Sequence, residues 1–99
     1  MKYRRSIKHR SRIDIMSQIL EAANGGGATR TKIMYKAFLS FIQLREFLMV
    51  LTQSDLLSYD EELQTFKTTE KGLRFLDAYK QFLSISPYHS VRDGSDIVQ

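Results

Sequence analysis

Six cationic side chains, Lys2, Arg4, Arg5, Lys8, Arg10 and Arg12, precede the first acid, Asp14. Such a run can neutralise phosphates: each cation set against a nucleic-acid backbone releases condensed counterions, and an anionic lipid surface would attract it by the same electrostatics. The remainder of the 99-residue chain carries nine basic and eleven acidic side chains, so the formal net charge of +4 resides in this arm. A second cationic group, Arg30, Lys32, Lys36 and Arg45, lies around a stretch with no acid between Ala28 and Leu44. Other chemistries find no support. There is no cysteine for a disulfide or thiolate site, and His9 and His89 stand far apart with no partner at metal spacing. No nucleophile can be matched with a base, so neither catalysis nor a cofactor, metal or small-molecule ligand is expected. The run Gly25-Gly26-Gly27 could cradle phosphate only after a strand and before a helix. Here it follows a helical pattern and reads as a chain reversal.

The elements that must position these groups are legible in the hydrophobic periodicity. Ser11 to Asn24 reads as a first helix with Ser11 as N-cap, its stripe formed by Ile13, Met16, Ile19, Leu20 and Ala23. A shorter helix starts near Thr29 or Thr31 and ends at Ala37, burying Ile33, Met34 and Ala37. After a turn at Phe38-Leu39, Ser40 opens a third helix with Gln43 at the capping-box position. Leu44, Phe47, Leu48 and Leu51 form its core face, with Phe41 at the border and Ile42, Arg45, Glu46 and Met49 on the other side. Tyr35, Phe38 and Phe41, at the junction of two helices, are expected in the core. Leu56 to Tyr59 and Thr65 to Thr68 then read as two strands around an acidic loop, Asp60-Glu61-Glu62. A last helix opens at Thr68 or Thr69 and runs to about Ser84, before Pro87. The pattern predicts an α+β, mostly helical fold: three helices, a β-hairpin wing and a C-terminal helix, the order of a winged helix-turn-helix.

Particular words sharpen this expectation. The stretch Gly27-Ala28-Thr29-Arg30-Thr31-Lys32-Ile33-Met34-Tyr35, then Leu39-Ser40-Phe41, Gln43-Leu44, Phe47-Leu48, Leu51, Leu56-Leu57 and Thr69-Glu70-Lys71-Gly72, resembles an archaeal winged helix-turn-helix family. That family includes small basic DNA-binding proteins that dimerise through a C-terminal helix. The resemblance spans roughly residues 7 to 83 and implies sequence-tolerant binding of duplex DNA or transcriptional regulation. The chain departs from the pattern in its acidic wing loop and in the shortness of its last helix, about 15 residues.

The expected DNA-binding set is therefore Lys2, Arg4, Arg5, Lys8, Arg10, Arg12, Arg30, Lys32, Lys36, Ile42, Gln43 and Arg45. Helix three would enter the major groove, where Arg45 suits guanine or phosphate. Gln43 suits adenine unless the capping box consumes it. Ile42 and Met49 suit thymine methyl groups or a protein partner equally, and the alternative to DNA binding is a protein-interaction module built on them and the acidic wing. In the last helix Leu73, Phe75, Leu76, Tyr79, Phe82 and Leu83 cover about half the circumference, more than one neighbour needs, which predicts a homodimer. The expected divisions are a basic arm at 1–10, a winged helix-turn-helix domain at 11–68, a dimerisation helix at 69–86 and a polar tail at 87–99. No apolar run has the length of a membrane span or a signal peptide, so a cytoplasmic protein is expected.

Overall fold

Each helix starts where a hydroxyl side chain can satisfy amide groups that have no partner in a first turn. The computed structural model describes residues 10–87. Helix α1 (Arg12–Ala23) is capped by Ser11, whose hydroxyl accepts from the Asp14 amide at 3.0 Å while the Asp14 carboxylate accepts from the Ser11 amide at 3.1 Å. Thr29 caps α2 (Arg30–Ala37), and Ser40 with Gln43 forms a second reciprocal box on α3 (Phe41–Gln53). Strands β1 (Leu57–Asp60) and β2 (Thr65–Thr68) pair antiparallel, Leu57 opposite Thr68 and Asp60 opposite Thr65. Thr69 caps α4 (Glu70–Ile85), its hydroxyl accepting from the Gly72 amide at 3.0 Å. The order is the expected one: three helices, a hairpin and a C-terminal helix.

The core gathers Ile19, Leu20 and Ala23 of α1, Ile33 and Ala37 of α2, and Leu44, Phe47, Leu48 and Leu51 of α3. Leu56, Leu57 and Phe66 close it from the hairpin side and Leu76 from α4. Each fully buried leucine or isoleucine here contributes about 1.5–3 kcal/mol. Two polar joints fix the hairpin to the helices. The buried Thr68 hydroxyl donates to the Leu20 carbonyl at 2.6 Å, and Ala28 exchanges two backbone bonds with Phe66, each 2.8 Å. Gly27, at φ +93°, allows that close approach, since a Cβ there would stand 3.2 Å from the Phe66 carbonyl oxygen.

The packing corrects two expectations about the core. Ile13 is exposed, because it faces a hollow beside Phe75 and Phe82 instead of a packed neighbour, and Ser17, one turn on, is buried. Tyr35, Phe38 and Phe41 are also outside, at 73%, 72% and 60% exposure. The link between α2 and α3 is so short that the chain reverses through Phe38 in a left-handed conformation (φ 55°, ψ 53°), and Leu39 fills the junction instead. A residue with a Cβ loses roughly 1–2 kcal/mol in that conformation, and the exposed Phe38 ring recovers little of it by packing. Phe38→Gly is accordingly expected to raise the stability by about 0.5–1 kcal/mol despite the greater entropy of unfolded glycine, read as a higher thermal midpoint. A lower midpoint would mean that the ring packs more tightly than its exposure indicates.

Candidate nucleic-acid interface

The reversal between α2 and α3 is held by a long-range contact. The guanidinium of Arg10 donates to the carbonyls of Ala37 at 2.6 Å and Phe38 at 3.0 Å, and also to the Gln18 side chain. It thus satisfies carbonyls that the end of α2 leaves without partners, and places a cation at the negative pole of that helix. Arg10, expected as the last residue of the basic arm, is thereby tied to the fold. Arg12 lies with its guanidinium 4.8 Å from the centre of the Phe47 ring. Lys2, Arg4, Arg5 and Lys8 lie outside the described residues.

Across the helix-turn-helix the cations stay open. Lys32 and Lys36 are exposed on α2 and Arg45 is exposed on α3, while Arg30 rests over the rings of Tyr59 and Phe66, 5.3 and 5.0 Å from their centres. Among the described residues none of these four is paired with a carboxylate. On α3 the outward residues are Ile42, Arg45, Glu46 and Met49, as the periodicity indicates. Gln43 is also exposed, but its carbonyl oxygen accepts from the Ser40 amide at 3.1 Å, so a bidentate contact with adenine would compete with the cap.

A family model described as winged helix-turn-helix matches residues 9–86 of this architecture. The chain belongs to the winged helix-turn-helix family. Among solved structures it is similar to the crystal structure of Sso10a-2, a DNA-binding protein from Sulfolobus solfataricus, with a TM-score of 0.71 and 21% identity. The alignment covers 91% of this chain and 98% of that one, and a likeness at such identity speaks for the shared fold. No curated protein matches the sequence.

The wing of this winged helix-turn-helix has an acidic tip with an internal duty. The Asp60 carboxylate accepts from the amides of Glu62 at 2.9 Å and Leu63 at 3.1 Å and so shapes the turn, whereas Glu61 and Glu62 are simply exposed. On α4 the wide apolar arc divides. Leu76 is buried in the protein's own core, which removes it from the expected dimer face, because it points at the hairpin and α1 side of the helix. Tyr79 and Leu83 are half-buried, and the Tyr79 hydroxyl donates to the Asp14 carboxylate. Ala78, Phe82 and Ile85 are exposed and, with Phe75, which is half-buried against the core, form a seam at spacings of three, four and three residues, while Leu73 lies on the opposite side. Phe75, Ala78, Tyr79 and Phe82, together with Ser11, Ile13 and Asp14, line an apolar hollow of about 400 Å3. Ala78 and Ile85 are absent from the expected set because alanine carries little hydrophobic signal and Ile85 lies beyond the expected end of the helix. Among the described residues no helix is long and apolar enough to cross a membrane, and no cluster suited to a metal ion occurs.

Proposed function

We propose that this protein binds double-stranded DNA as a transcriptional regulator or chromatin-associated protein, with α3 presented to the major groove and the N-terminal cations following the phosphate backbone. One observation carries the reading: Arg30, Lys32, Lys36 and Arg45 surround the helix-turn-helix with no carboxylate paired to any of them among the described residues. Cations left unpaired at a family-typical DNA-facing surface suit a polyanion. The anchoring of Arg10 at the turn supports the arm's part in it, since the chain enters the described fold beside that surface. The similar Sulfolobus protein is described as DNA-binding, in line with this proposal.

Paired substitutions of opposite sign test it. Arg45→Ala should lower the slope of log affinity against log salt by about 0.9 if the side chain meets phosphate, or cost about 1–3 kcal/mol on a preferred site if it reads guanine. Glu61→Gln with Glu62→Gln should strengthen binding by removing repulsion within a Debye length of about 10 Å, with Asp60 retained for the turn. If neither change alters binding to a labelled duplex, the helix-turn-helix surface and the wing have no part in it.

The homodimer is part of the same proposal, resting on the seam of Phe75, Ala78, Phe82 and Ile85. A helix of 16 residues extends about 24 Å, enough for a short helix pair. Phe82→Glu removes an exposed ring and leaves the core intact, and it should convert a dimer to a monomer in sedimentation equilibrium. A monomer before any substitution would contradict the dimer, and a dimer that survives it would place the interface elsewhere.

A further inference from the structure

Duplex binding does not explain why aromatic rings stand in water around the helix-turn-helix. Two hollows lie side by side there. One, of about 270 Å3, is lined by Arg30, Phe41, Leu44, Arg45 and Leu48; the other, of about 190 Å3, by Arg30, Arg45, Leu48, Met49, Thr52 and Phe66. They share Arg30, Arg45 and Leu48, so both arginine side chains border both recesses. The larger recess is below the roughly 300–1,000 Å3 of drug-sized ligand sites and suits a single planar group. Phe41 supplies an open ring at its edge, and Leu44 and Leu48 its floor.

A pair of largely apolar recesses bordered by two cations asks for a partner that alternates flat, weakly polar faces with negative charge. We propose that this paired hollow binds unpaired nucleotides of a nucleic-acid strand, one base stacked on Phe41 and the linking phosphate held by Arg30 and Arg45. Duplex DNA does not satisfy the site, because its base faces are covered by stacking and the grooves display only edges. An apolar peptide would leave two guanidinium groups without anionic partners. Stacking on an exposed aromatic ring beside a cationic track is the usual means of holding single strands. The rings of Tyr35 in α2 and Phe38 in the turn are exposed as well. Phe38 keeps an aromatic side chain in a left-handed conformation where glycine would be less strained, which fits a ring retained for contact.

This mode adds to the duplex reading and can fail independently of it. The full chain is titrated against a single strand of about 12 nucleotides containing 2-aminopurine, within the footprint range of single-strand modules, and against the corresponding duplex. Phe41→Ala is the diagnostic variant, since the ring is mostly exposed and alanine suits the first turn of a helix. The expected result is an affinity loss of about tenfold on the single strand, with a much smaller change on the duplex and loss of the fluorescence response at 2-aminopurine. The proposal is overturned if the unmodified protein fails to bind the single strand at low salt, if Phe41→Ala binds it unchanged, or if the variant weakens both nucleic acids alike. Single-strand binding that depends on Phe41 without any duplex binding would support this site and contradict the duplex reading instead. Failure on single strands with acidic-peptide binding at the same hollow would assign the surface to a protein partner and likewise overturn it.

Discussion

Replacing Gly72 with alanine is expected to destabilise the protein by about 2 kcal/mol, although the substitution favours a helix by about 1 kcal/mol on propensity alone. Gly72 lies in the first turn of α4, against the backbone that leads into the hairpin. A Cβ there would come within 2.4 Å of the Leu56 carbonyl oxygen and 2.6 Å of Thr68 Cγ2. The first of these is backbone, and it already accepts a bond from the Thr69 amide at 3.1 Å, so it cannot yield without loosening the cap. Neighbouring bonds tie the same corner: the Thr69 hydroxyl donates to the Asp55 carbonyl at 2.7 Å and Lys71 Nζ to the Ser54 carbonyl at 2.9 Å. A domain of this size shifts by about 4–8 °C per kcal/mol, so the thermal midpoint of Gly72→Ala should fall by about 8–16 °C. An unchanged midpoint would show that α4 can move away from the hairpin at little cost.

Deleting residues 1–9 is expected to have the largest effect on DNA binding. It removes Lys2, Arg4, Arg5 and Lys8 and spares Arg10, which the turn between α2 and α3 requires. With about 0.9 slope units for each phosphate neutralised, four engaged cations account for up to about 3.6 units of salt dependence. A fourfold rise in salt would then weaken the full chain up to about 150-fold more than the shortened one. Partial engagement reduces the slope in proportion and the ratio exponentially, so that two engaged cations give about 12-fold. Fluorescence anisotropy on one duplex at several salt concentrations measures both slopes. Equal slopes would leave the segment a solubilising extension, with no part in phosphate binding.

The physical range of each signal decides how much of the fold the residues reveal on their own. Helix starts are legible because a cap acts within three residues: Ser11 with Asp14, Thr29 with the Lys32 amide, Ser40 with Gln43. The core face of α3 follows from a period that every residue in the helix reports. Contacts distant in sequence are not legible. Arg10 reaches carbonyls 27 and 28 residues away, and nothing in the basic arm distinguishes it from Arg4 or Arg5. The aromatic residues mislead for a related reason. Hydrophobic type suggests burial, but the left-handed Phe38 takes the chain out of helical period and gives the interior position to Leu39. On α4 the excess of apolar surface is visible in the sequence, whereas its division into an inward Leu76 and an outward Phe82 depends on where the hairpin lies. The cleft between Arg30 and Arg45 joins two helices and β2, so no local pattern discloses it.

The most direct test of the account is the affinity of the full chain for a labelled DNA duplex as salt is raised. Four to eight phosphate contacts from the arm and the helix-turn-helix predict tight binding at low salt and a log–log slope between about −3.6 and −7.2. Absence of binding at low salt, or a slope near zero, would contradict the proposal that this winged helix-turn-helix acts on duplex DNA.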